Sequence, residues 1–139
     1  MKQDPVLRVT TKYIVPPIIL FGLYVLFHGE YSPGGGFQAG VIVASAFTLY
    51  GVVFGVDIVE QVAPPRLLAA LACVGVLVYA GVGILTLLFG GNFLDYATLA
   101  DDDLTGQRLG IMLVEVGVGI TVASVMIIIF LAFARRERR

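Results

Sequence analysis

Apolar residues fill four stretches of the chain, and the polar and glycine-rich segments between them are short. A hydrocarbon core about 30 Å thick takes about 20 helical residues to cross. The pattern therefore predicts four transmembrane helices, over roughly 6–27, 36–56, 67–89 and 109–134. The first needs an early start. Counted only from Val15 to Phe27 it would reach about 20 Å and stop short of the far side, so the helix is placed from Val6, with Pro16 and Pro17 in its interior. An interior proline removes a backbone N–H and crowds the preceding turn. The pair predicts a kink, through the lost hydrogen bonds to the Lys12 and Tyr13 carbonyls. The second stretch carries only Gln38 and a few hydroxyls as polar groups. Pro64-Pro65-Arg66 supplies a turn and a first-turn proline for the third, which is uncharged and holds Cys73. The fourth is long enough to tilt or protrude, and it contains Glu115.

Of the 139 residues, 58% are hydrophobic and 14% charged, and the mean hydropathy is +0.95. Four spans then leave room for two tails and three loops, so the expectation is a single membrane domain over 1–139. One His, one Cys and no Trp exclude a disulfide framework, a thiolate zinc site and a multi-His cage; no metal site and no cofactor is expected. A net charge of −1 excludes a basic nucleic-acid binder. Cys73 reads as apolar filler. Lys2, Arg8, Lys12, Arg66, Arg135, Arg136, Arg138 and Arg139 fall on one side of a four-span topology and Arg108 alone on the other. The positive-inside rule then puts both termini in the cytoplasm of a multi-pass cell-membrane protein. After Phe27 the sequence His28-Gly29-Glu30 lacks a small-residue cleavage pattern, so the first span is expected to stay as an anchor. The outer loops become 28–35 and 90–108. The second of these holds Asp95, Asp101, Asp102 and Asp103, without the alternate spacing or distal Glu of a calcium loop.

Gly36, Gly40 and Ala44 form a small-residue stripe, and Gly51 with Gly55 forms another farther along the same helix. Such spacing lets helix backbones approach closely and marks span two as a contact helix. Glu115 is the only acid in any span, about 9 Å inside the outer end, and Gly119 and Ala123 follow on its face. A carboxylate there is costly unless paired, solvated or neutralised. It reads as a proton or cation carrier, as a hydrogen bond to a neighbouring subunit, or as a side chain that snorkels outward. A sodium site needs more oxygens, and span four offers only Thr121 and Ser124 downstream. Between spans one and two lie His28, Glu30 and Pro33-Gly34-Gly35-Gly36-Phe37. The glycines permit positive φ and expose successive N–H groups at the start of span two, where carbonyls or carboxylates dock. The bland alternative is a tight interhelical turn. The loop is not a phosphate-binding loop, because the Gly-Lys-Ser/Thr is missing.

The run His28-Gly29-Glu30-Tyr31-Ser32-Pro33-Gly34-Gly35-Gly36-Phe37-Gln38-Ala39-Gly40, after a first span with an interior Pro-Pro pair, resembles the small B subunit, the MnhB family, of Mrp-type multisubunit sodium/proton antiporters. The resemblance covers nearly the whole chain. It departs at Glu30 and Ala39, where the family often carries His and Gly. It implies a six- or seven-subunit assembly in a bacterial or archaeal cell membrane, similar to the membrane arm of respiratory complex I. Such an assembly exports Na⁺ in exchange for H⁺ and supports alkali and salt tolerance. The partners it implies are the other subunits, the lipid bilayer and the two ions.

Three functions follow. In the first, the chain is a non-catalytic subunit that lends Glu115, with His28 and Glu30, to an ion pathway at subunit seams. In the second it is purely structural, and Pro33 to Phe37, Gly40, Gly51 and Gly55 are docking features. The third is a homodimeric small multidrug exporter; that family puts its Glu in the first span beside a Trp, and here Glu115 is in the fourth and Trp is absent. No span brings a nucleophile, base and orienting group together, so no enzyme is expected.

Overall fold

Asp4 starts the first helix: its carboxylate accepts the Val6 N–H at 3.1 Å, and Pro5, with no N–H to lose, takes the first turn. The computed structural model describes residues 4–29, 31 and 33–136. It is helical throughout, and no strand occurs among the described residues. Helix α1 spans Pro5–Phe27, with Pro16 and Pro17 in its interior. It is followed by α2 (Gly36–Phe54), α3 (Val56–Val62), α4 (Pro65–Leu88), a short 3-10 turn (Tyr96–Leu99) and α5 (Asp103–Arg136). Four of these, α1, α2, α4 and α5, are long and apolar enough to cross a membrane.

Span two ends at Phe54 rather than running on to 56. Gly55, read in the sequence as half of a packing pair with Gly51, breaks the helix instead. Its φ is +107°, a conformation that suits glycine alone, and its N–H bonds back to the Gly51 carbonyl at 2.9 Å. The chain then turns into α3, which buries Val56 and Val59 and leaves Asp57 and Gln61 exposed. These valines join Ala44, Leu68, Ile127 and Leu131 in the core cluster. Arg135 of α5 donates to Glu60 of α3 at 2.5 Å.

Helix α5 has 34 residues, about 51 Å of length, and lies between α2 and α4; α1 packs on the far side of α2 and barely reaches α5. The four spans therefore form a row, α4, α5, α2, α1. The stripe Gly36, Gly40, Ala44 is taken up inside the chain. A methyl group on Gly40 would lie 2.8 Å from the Gly119 carbonyl oxygen of α5, and Ala44 is in the core cluster. Gly51 likewise lies under the Phe130 ring. On the other flank Thr121 donates to the Ala72 carbonyl at 3.2 Å and to Gly117 at 3.0 Å, tying α5 to α4.

The acidic segment after α4 is folded onto the bundle. Phe93 lies over Gly83, and Tyr96 over Gly110 and Gly106. Thr86, fully buried, donates to the Gly83 carbonyl and accepts the Leu94 N–H, both at 2.9 Å. Burial, and secondarily Tyr79, hold the Tyr96 phenol above its ordinary pKa of 10.0. No cluster of three or more metal-ligating side chains exists among the described residues.

Candidate functional site

Helix α1 ends at His28, whose N–H bonds to the Tyr24 carbonyl at 3.0 Å, and Tyr31 donates to the His28 carbonyl at 3.0 Å to begin the reversal. The reversal closes at Gly35, whose φ of +147° no side chain tolerates easily. The Gly35 carbonyl accepts the Ala39 N–H at 3.0 Å, so α2 starts here. The first N–H groups of a helix have no partner within it, and its N-terminus carries partial positive charge.

The Glu115 carboxylate fills the space that these glycines leave open. A methyl group on Gly29 would lie 2.9 Å and 3.1 Å from Glu115 Oε2 and Oε1. One on Gly35 would lie 3.1 Å from Oε1, and one on Gly36 would overlap the Glu115 carbonyl. The carboxylate is thus held between the end of α1 and the start of α2, half-buried and engaged with partners. A positive helix end is the environment that lowers the cost of an ionised acid in a membrane. The Gln38 Oε1 lies 3.6 Å from the same methyl position on Gly35 and adds a second oxygen-bearing side chain to the site.

On α5, Leu104, Arg108, Ile111 and Glu115 recur at i, i+4, i+7 and i+11 and share a face. The first three, with Gln107, Gly29 and Tyr31, line a cavity of about 380 Å³ at the end of the bundle opposite the termini. Gly29 belongs both to this vestibule and to the carboxylate's seat, so the two adjoin at that glycine, although the Glu115 side chain does not itself line the cavity. Beyond Glu115 the character changes. The next cavity, about 160 Å³, is lined by Gly22, Leu26, Gly40, Gly119, Ile120 and Ala123 among others, without one polar side chain. Thr121, read as an oxygen downstream of Glu115, is turned toward α4, and Ser124 is buried.

The other sequence candidates fall around this centre. The exposed His28 ring stacks on Tyr24 at 4.7 Å and stands 6.0 Å from Tyr31, at the rim. Glu30 lies outside the described residues. Gly34 packs on Val25, and Pro33 and Phe37 are exposed. What sequence reasoning missed is that Glu115 and the glycine turn are one site, and that Gln38 belongs to it. The signal was there in two stripes of the same period: Gly36, Gly40, Ala44 on α2 and Glu115, Gly119, Ala123 on α5. Stripes of one spacing at one membrane depth suit each other.

A family model described as a domain related to the MnhB subunit of Na+/H+ antiporter matches residues 6–128. The chain is similar to "Putative antiporter subunit mnhB2" of Staphylococcus haemolyticus (strain JCSC1435), 37% identical over 138 residues that cover 96% of each chain. It is similar also to the protein of the same name from Staphylococcus aureus (strain Newman), 37% identical over 131 residues, 87% of this chain and 92% of that one.

Proposed function

The chain belongs to the MnhB family of Na⁺/H⁺ antiporter subunits, and from that premise we propose that it carries one station of the ion pathway, at a seam with neighbouring subunits. It is a transporter component and a multi-pass membrane protein, working with other subunits. The observation that supports the station is the Glu115 carboxylate seated against Gly29, Gly35 and Gly36, with Gly29 shared between that seat and the neighbouring vestibule.

The chemistry follows from the donor set. Glu115 alternates between a protonated form and a form paired with Na⁺. Gln38 offers the second in-chain oxygen, and the remaining ligands of a sodium ion come from backbone or from the adjoining subunit. His28 and Arg108, with Glu30 near His28 in the sequence, set the field that an arriving cation meets. With the apolar cavity below Glu115, onward passage leaves this chain sideways into a neighbour, which is what places the site at a seam. In this reading both termini are cytoplasmic, the vestibule opens outward, α1 bends at Pro16-Pro17, and the chain is one domain of a bacterial or archaeal cell membrane. Pro33 and Phe37, exposed beside the site, are the contact to the neighbour.

The test is Na⁺-dependent ΔpH formation in everted vesicles carrying the whole assembly, wild type against Glu115→Gln, with assembly checked on native gels. The amide keeps the shape and removes the charge. Exchange lost or shifted in pH in an intact complex is the expected result. Unchanged exchange leaves the chain as a scaffold only.

A further inference from the structure

At the other end of the bundle, Arg8, Lys12, Val15 and Ile19 recur at i, i+4, i+7 and i+11 along one face of α1. Val15 and Ile19 wall an apolar cavity of about 230 Å³, closed on its other sides by Phe47 and Tyr50 of α2 and by Val59 and Val62 of α3. The two cations end over the Phe54 ring, the Arg8 guanidinium carbon 5.1 Å and Lys12 Nζ 5.7 Å from its centroid. Phe54 in turn stacks on Tyr50 at 4.4 Å, so cations and cavity share a wall.

The acids nearby are already engaged: Glu60 is held by Arg135, and Asp57 has its own partner, as does Arg8. Lys12 makes no ion pair among the described residues. It stands one helical turn outside the cavity, where a lysine stem follows apolar surface and its ammonium reaches the headgroups. An apolar slot with an ammonium at its mouth has the two-part chemistry of a charged lipid, and basic pockets between helices at a membrane surface take anionic headgroups. A packed helix, 10–12 Å across with its side chains, is too thick for a cavity of this volume.

We infer that this groove holds an acyl chain of an anionic phospholipid whose headgroup phosphate pairs with Lys12. The site lies at the C-terminal end of α2, away from Glu115, and stands apart from the ion-pathway reading.

The experiment uses vesicles carrying the assembled antiporter and doped with phosphatidylglycerol or phosphatidylcholine, each bearing a photoreactive group on one acyl chain. Labelled positions are read by mass spectrometry. Phosphatidylglycerol is expected to label Val15, Phe47 and Val62 in preference to phosphatidylcholine. Lys12→Gln should cut that preference about fivefold, and Lys12→Arg should keep it. Val62→Trp, which fills the slot with Lys12 intact, should lower labelling by either lipid at Val15 and Phe47. Equal labelling by the two lipids, a preference that Lys12→Gln leaves unchanged, or no labelling of Val15, Phe47 and Val62 by either lipid in the assembled antiporter overturns the inference.

Discussion

At Gly36 a methyl group would overlap the Glu115 carbonyl, whereas one at Gly81 would meet nothing within 4 Å. Both positions are helical, so the pair separates packing from propensity. Gly36→Ala is expected to lower stability by about 1–3 kcal/mol, the usual cost of overpacking, and Gly81→Ala to be neutral or slightly stabilising. Thermal unfolding of the detergent-solubilised chain, followed by circular dichroism, measures both. Gln38 gives a functional counterpart. If its amide oxygen shares a cation with Glu115, Gln38→Leu should raise the Na⁺ concentration for half-maximal exchange about fivefold, the worth of one polar contact, without loss of assembly. An unchanged Na⁺ dependence would remove Gln38 from the site. Glu115 itself stood out in the sequence as the one acid in a span, because charge in an apolar helix is a local signal. Its seat was not legible, since it joins residues about 80 positions apart and only packing brings them together.

At the scale of elements, the long helices were readable because hydropathy over about 20 residues is averaged and forgiving. The break at Gly55 was not, because the apolar run continues through Val56 and a glycine inside it reads equally as a packing residue. The cover over the far end of α4 and α5 was hidden for a related reason: Gly83 and Gly110 are pits for the Phe93 and Tyr96 rings, and nothing local tells a pit from a flexible point. That cover has a pH signature. The fold favours the neutral Tyr96 phenol and raises its pKa above 10.0, chiefly by burial. The contribution to stability is therefore fully present below pH 10 and is lost as pH rises through the higher folded value. Absorbance titration of tyrosinate should show a late step that Tyr96→Phe removes; a Tyr96→Phe curve that keeps that late step would contradict the burial. In α3, Val59 is 1% exposed, and Val59→Ala should cost about 1–3 kcal/mol through the cavity it leaves. Glu60→Gln, which breaks a pair with an exposed Arg135, should shift the melting temperature little.

At the scale of the whole molecule, the row of spans explains why this chain works among others. Only 11% of the apolar window of α1 and 22% of that of α4 is buried, against 39% for α2, so the two flanking helices rely on lipid or on neighbouring subunits. The site sits between α1, α2 and α5, at the end of the bundle where the connections 28–35 and 89–102 lie. The positive-inside rule makes that end the outward one. In a Cys73→Ser background, Ile111→Cys should react with a membrane-impermeant maleimide added outside intact cells, and Ala123→Cys, below Glu115, should not. Reaction of Ile111→Cys only once the cells are opened would invert the topology. If Glu115 is a station for Na⁺, its carboxylate changes state when the ion arrives, and Na⁺-induced difference infrared spectroscopy of the assembly labelled with ¹³C-glutamate reads that change directly. A carboxyl band is expected to disappear on adding Na⁺ in wild type and to be missing from Glu115→Gln. Difference spectra identical in the two assemblies would contradict it.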